Sequence, residues 1–235
     1  MDFSESIINS FIAINDSQKA LDELISNLDP YVLIKCTTSP DIIKYCVNKN
    51  GFTLMYVPKE LRTLELCKIA SKGGAIEYVP QELRTYDMYK SSVTKLGHTI
   101  QNVPQELRTY EICAAAITSW GHSIQYVPDK LKTYDLYLLS VTRAGQSLHN
   151  IPKELLTPEL CLAAVTQDGF AIQYVPIELE TSELFLVAVT QNGHAIRYVH
   201  KTLLTSELCL AAITQNSDAI KYVPVELRPT FYIIK

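Results

Sequence analysis

A threonine recurs every 24 residues through most of this chain, at Thr85, Thr109, Thr133, Thr157, Thr181 and Thr205. The residues around it recur as well, most clearly in Thr157-Pro-Glu-Leu-Cys-Leu-Ala-Ala-Val-Thr-Gln-Asp-Gly169-Phe-Ala-Ile-Gln-Tyr-Val-Pro176. Thr63 opens a copy shortened by two residues and Ser39 a more degenerate one, which makes eight repeats. Self-similarity at a fixed period of this length marks a solenoid, in which each repeat buries its apolar face on its neighbours. At 235 residues, the length alone would suit one or two compact domains. The period overrides that prior, because a solenoid core grows by addition.

Within a repeat, the chemistry is that of a short helix. The lead threonine is a good N-cap, and Pro158 suits the first helical position. An acid follows two residues after each cap (Asp41, Glu65, Asp87, Glu111, Asp135, Glu159, Glu183, Glu207), where negative charge complements the helix dipole. Apolar residues fall at the third, fourth, seventh and eighth places, which is one helical face. The seventh place is small throughout (Cys46, Ala70, Ser92, Ala116, Ser140, Ala164, Ala188, Ala212), so a neighbouring helix can come close. The helix is expected to end at a left-handed glycine near Gly51, Gly73 or Gly74, Gly97, Gly121, Gly145, Gly169 and Gly193. Ser217 in the last repeat predicts a looser end. The remaining residues have room only for a second helix of one to two turns and a turn begun at the proline.

The fourth place alternates between Cys67, Cys113, Cys161, Cys209 and the aromatics Tyr89, Tyr137, Phe185, which suggests a 48-residue period of interlocking small and large side chains. Repeats packed at about 8–10 Å place these sulfurs too far apart for disulfides or a shared metal. A row of sensor cysteines is the competing reading. Core thiols in a reducing, cytoplasmic setting fit better, since the pattern follows helix geometry and no basic residue sits beside them to activate them.

Composition narrows the partner classes. A net charge of −4 supplies no field for polyanions, and no apolar stretch approaches the ~20 residues needed to span a bilayer. The opening Met1-Asp-Phe-Ser-Glu-Ser lacks the pattern of a secretory signal. Residues 1–38 lack the repeat and hold amphipathic stretches at 4–13 and 17–28 that suit an N-terminal helical cap. Residues 229–235 either cap the last repeat or begin a ninth. The expected fold is thus all-α: an α-solenoid of eight short helix pairs over 39–228, behind an N-terminal cap.

The string Ala-Ile-Gln-Tyr-Val-Pro-x-Glu-Leu-x-Thr-x-Glu-Leu-Cys-Leu-Ala-Ala-Val-Thr-Gln-Asn-Gly resembles a family of tandem helical repeats of about 48 residues, classified as a domain of unknown function. Its most specific part is Leu184, Ala188, Val189, Gln191, Asn192 and Gly193, and the resemblance covers roughly 39–228. Members occur in secreted effectors of intracellular bacteria and in giant viruses of amoebae. The resemblance implies a host-interaction setting, with delivery into a host cell without a cleaved signal peptide, and it brings no catalytic residues.

No catalytic constellation emerges from the residues. His98, His122 and His194 follow the helix-ending glycine and read as polar cap residues, and the carboxylates are explained by helix starts. Thr94, Thr118, Thr142, Thr166, Thr190 and Thr214 either form a surface ladder or bond back to a carbonyl one turn earlier. Neither an enzyme nor a cofactor or metal site is expected.

The departures from the repeat carry the functional signal. Before the cap, Arg62, Arg84, Arg108 and Lys132 are basic, whereas Leu156, Glu180 and Leu204 are not. After it, Tyr86, Tyr110 and Tyr134 replace Pro158, Ser182 and Ser206. At the far helix ends, Leu96, Trp120 and Ala144 replace Asp168, Asn192 and Asn216. Arg, Tyr and Trp are enriched at binding hot spots. Arg84, Tyr86, Arg108, Tyr110, Trp120, Lys132 and Tyr134 are therefore the candidate protein-binding ridge. The competing account is that these side chains cover the edge of the core. The expected function is a non-catalytic scaffold for a protein or peptide partner, a host protein in that setting. The alternative is a nucleic-acid reader built on the same cations and rings.

Overall fold

The computed structural model describes residues 29–35 and 39–228, and among them every regular element is helical. The stretches 4–13, 17–28 and 229–235 lie outside the described residues. A short helix, α1 (Pro30–Lys35), precedes the repeats. Its first turn is held by Asp29, whose Oδ1 accepts a bond from the Tyr31 amide at 2.8 Å. Eight α-helices then open the eight repeats: α2 (Pro40–Lys49), α3 (Leu64–Lys72), α4 (Tyr86–Lys95), α5 (Tyr110–Ser119), α6 (Tyr134–Arg143), α7 (Pro158–Gln167), α8 (Ser182–Gln191) and α9 (Ser206–Gln215).

The caps fall where the threonines place them. From α3 to α9 the lead hydroxyl accepts a bond from the amide three residues on, as in Thr181 Oγ1 with Leu184 N at 3.1 Å. Each such cap stabilises a helix by about 1 kcal/mol. Ser39, at the start of α2, makes no side-chain cap bond. The second helix of each pair is 3-10 rather than α. It has six residues in seven repeats, such as Gly121–Tyr126 and Gly169–Tyr174, and three in the shortened one, Ile76–Tyr78. A three-residue 3-10 turn after the proline, such as Ile177–Leu179, completes the repeat.

The chain divides into two compact units, residues 1–107 and 108–235. In the first, α1 packs on α2, α2 on α3 and α3 on α4. In the second, α5 through α9 pack each on the next, and their 3-10 helices stack in the same order. Each unit is therefore two-layered, α-helices on one side and 3-10 helices on the other, and the all-α repeat solenoid is the observed fold. The core lies between the layers. Its α side is the third, fourth, seventh and eighth places, as in Leu160, Cys161, Ala164 and Val165, all 0% exposed. Ala171, Ile172 and Val175 cover it from the 3-10 side. The alternating fourth-place residues are all buried, from Cys113 and Cys161 at 0% to Tyr137 at 5%.

The glycines correct the expectation of left-handed caps. The α-helices with a six-residue 3-10 partner end in an extended residue, such as Trp120 at φ −150°, and among the described residues only Gly74 has positive φ, 90°. What glycine supplies is closeness to the next repeat. A Cβ on Gly121 would lie 2.7 Å from the carbonyl oxygen of Ser140, the small seventh-place residue of α6. Ser217 does not loosen α9, whose Asn216 amide bonds the Ala212 carbonyl as its counterparts do.

Glutamines fasten the later repeats together. Gln167, Gln191 and Gln215 each accept, through Oε1, a bond from the backbone amide of Gly145, Gly169 or Gly193 in the preceding repeat, at 2.5–2.6 Å. The amide groups of Gln191 and Gln215 donate in turn to the Gln167 and Gln191 carbonyls at 3.3 Å.

Candidate interaction surface

The arginines of the sequence ridge are turned to the backbone. In the first compact unit, Arg62 donates to the carbonyls of Val57 at 2.8 Å and Tyr78 at 2.6 Å, joining two repeats. Arg84 donates to Val79 O at 2.9 Å and Glu77 O at 3.2 Å. In the second unit Arg108 donates to Tyr126 O at 2.8 Å. Carbonyls at the ends of 3-10 helices have no intrahelical donor, and the planar guanidinium reaches several at once. Lys132 is 18% exposed and pairs with Asp129 at 2.8 Å. The cations of the ridge therefore serve the fold.

The tyrosines differ. Tyr86 is half-buried in the first unit. In the second, Tyr110 and Tyr134 are 48% and 45% exposed at the first helical position of α5 and α6. Trp120, 36% exposed, sits past the other end of α5, about ten residues and 15 Å from Tyr110. The expected ridge therefore resolves into two rows at opposite helix ends.

The row at the helix starts continues in residues that the sequence reading passed over. One turn after Tyr134 comes Leu138, the fifth place of α6, and the same place holds Leu162, Leu186 and Leu210 in α7, α8 and α9. Leu162 and Leu210 are each 47% exposed. Second, fifth and ninth places share the outward face of each helix, so every leucine is flanked by an exposed acid (Asp135, Glu159, Glu183, Glu207) and an exposed threonine. Thr94, Thr118 and Thr142 bond back within their own helices, as Thr142 Oγ1 does to the Leu138 carbonyl at 2.8 Å. Between α8 and α9 the surface forms a groove of about 280 Å³, with Leu186, Leu203 and Leu208 on its floor and Glu183 and Glu207 on its rim.

A groove of the same construction lies between α2 and α3 in the first unit, but its fifth place is Lys44. There the ammonium bonds Glu65, the second-place acid of the next helix, at 2.7 Å. In α6 to α9 of the second unit leucine stands at that place, and among the described residues Asp135, Glu159, Glu183 and Glu207 are in no ion pair.

The second row is aromatic and lies toward the 3-10 layer. Trp120 stacks on Tyr126 at 6.5 Å and meets His122 edge-on at 5.6 Å. His122 lies 6.0 Å from His149, and His149 lies 5.3 Å from Tyr174. In several repeats the ring after the glycine instead meets the tyrosine of the next repeat edge-on, as in Phe52–Tyr78, Phe170–Tyr198 and His194–Tyr222. Where Asn150 replaces that tyrosine, His149 takes the contact. Burial and the neighbouring His149 hold the His122 pKa below its ordinary value.

The described residues contain no group of three or more His, Cys, Asp or Glu placed to hold a metal, and no helix long and apolar enough to cross a membrane. Burial raises the thiol pKa of Cys67 and Cys209 and pushes those of Cys46, Cys113 and Cys161 to about 11.

The geometry defines a class, an all-α helical-repeat solenoid with a periodic outward face. The family model described as Domain of unknown function (DUF4116) matches residues 157–204 and again 181–228. Residues 157–228 are therefore similar to two overlapping tandem copies of that family's pattern. Each match spans two 24-residue repeats and the second begins one repeat later, so the family pattern accepts either order of the Cys and aromatic halves. No curated protein and no solved structure matches the chain.

Proposed function

We propose that this chain is a non-catalytic interaction scaffold that holds a protein or peptide on the outward α-helical face of its second compact unit. The observation that carries this reading is the apolar row on successive helices: Tyr110 and Tyr134 at the first place, and Leu138, Leu162, Leu186 and Leu210 at the fifth. A contiguous apolar surface with a polar border is what protein interfaces use. A nucleic-acid reader would need the ridge cations, and Arg84, Arg108 and Lys132 are engaged with carbonyls and with Asp129. In the host-interaction setting implied by the family resemblance, the partner is a host protein met in a reducing compartment, which suits the buried free thiols.

The test is photocrosslinking in lysate of the cells in which the protein acts, with a photoreactive side chain at position 162. A second version carries it at position 173, which is exposed on the 3-10 layer. Discrete protein adducts from 162 and none from 173 are expected. No adducts from 162, or the same adducts from both positions, would contradict the reading.

A further inference from the structure

The two grooves of like construction differ in a way that specifies an occupant. In the first compact unit, Lys44 bridges to Glu65 at the groove and supplies its own cation there. Such an exposed pair adds little to stability, so its value here is as a marker of what the acid row accepts. In the second unit the cation is replaced by an apolar side chain and the acid is retained. Helix N-termini account for the presence of the acids. They do not account for the exchange of lysine for leucine beside them, which leaves an apolar floor edged by carboxylates that no cation pairs.

We propose that the face formed by α6, α7, α8 and α9 docks a basic amphipathic helix, with leucine-class side chains about every seven residues and Lys or Arg beside them. This rests on the reading of that face as a protein-binding surface and names the partner's chemistry. Its leucines enter the groove beside Leu186 and pack against exposed Leu162, and its cations stand where the Lys44 ammonium stands in the first unit. The spacing agrees. Packed helices lie about 8–10 Å apart, and seven residues of a peptide helix rise about 10.5 Å, so each heptad meets the next repeat. A helix also satisfies its own backbone, which matters here because no strand among the described residues offers an edge to an extended peptide.

The probe is a synthetic, fluorescently labelled helix of about three heptads. It carries leucine at one position per heptad and lysine at the flanking positions. Two control peptides replace the lysines by glutamate, or the leucines by serine. Anisotropy titrations use the full chain at low and at physiological salt. The lysine peptide is expected to bind at least about tenfold more tightly than either control, and more weakly as salt rises. Leu162→Lys with Leu186→Lys should reduce its binding by at least the same factor, with the helical circular dichroism unchanged. Equal binding of the glutamate peptide, indifference to the lysine substitutions in a folded variant, or no binding would each overturn the proposal. If the peptide fails while position 162 still yields protein adducts, this inference falls and the scaffold reading stands. If both fail, the scaffold reading falls with it.

Discussion

At the scale of single residues, the side chains that looked most reactive are the most enclosed. Cys113, Cys161 and Cys209 are fully buried, and Cys67 and Cys113 point their Sγ atoms toward the carbonyls of Arg62 and Arg108 at 3.8 and 3.9 Å. A thiol pKa pushed to about 11 lowers the thiolate fraction of Cys161 at neutral pH by roughly two orders of magnitude. Labelling by a thiol reagent in native buffer should therefore be at least about a hundredfold slower at Cys161 than in denaturant, and a native rate close to the denatured one would refute the core assignment. Much of this was legible in the sequence, because helix-face spacing is a local property and the cysteines obey it. The arginines were not legible. Arg62 reaches Tyr78 O across 16 residues, and nothing in the string of letters distinguishes a guanidinium spent on carbonyls from one offered to a partner.

At the scale of elements, the threonine caps, the buried stripe and the helix ends follow from the sequence, whereas the cause of each glycine does not. A left-handed cap is a local requirement and close approach to a carbonyl in the next repeat is a tertiary one. Both select glycine, and Gly121 beside Ser140 shows the second at work. The stacked 3-10 layer carries its own test. Burial, and then the charge of His149, the titratable group facing it, lower the His122 pKa from its usual value of about 6.5. Between the lowered value and about 6.5, the unfolded chain binds more protons at His122 than the folded one does. This contribution to stability is complete above that window and is lost as pH falls through it. Thermal melts at about pH 7.5 and pH 5.5 should show a fall in Tm that is smaller in His122→Phe, the residue type held at 52 and 170. Equal falls in the two proteins would mean that His122 is not the group responsible.

At the scale of the whole chain, the repeat was readable because a 24-residue period is a statement about architecture. The binding face was only half readable. Tyr110 and Tyr134 stand out as departures from the repeat, but Lys44, Leu162 and Leu186 are all ordinary residues for an outward helical place. Their contrast acquires meaning only through Glu65, 21 residues from Lys44, and through the absence of an equivalent pair around Glu183 and Glu207. Trp120 shares a hot-spot residue class with the tyrosines, but it stands at the far end of α5 from Tyr110. The measurement that reaches the central claim most directly gives the second unit the outward residues of the first. Leu162→Lys, Leu186→Lys and Leu210→Lys are made together, with a photoreactive side chain at exposed position 190 of the same face. Exposed substitutions of this kind should leave Tm within a few degrees of the parent. Protein adducts from position 190 should fall at least about tenfold. Undiminished adducts from a chain that melts like the parent would show that the leucine face is not where this protein holds its partner.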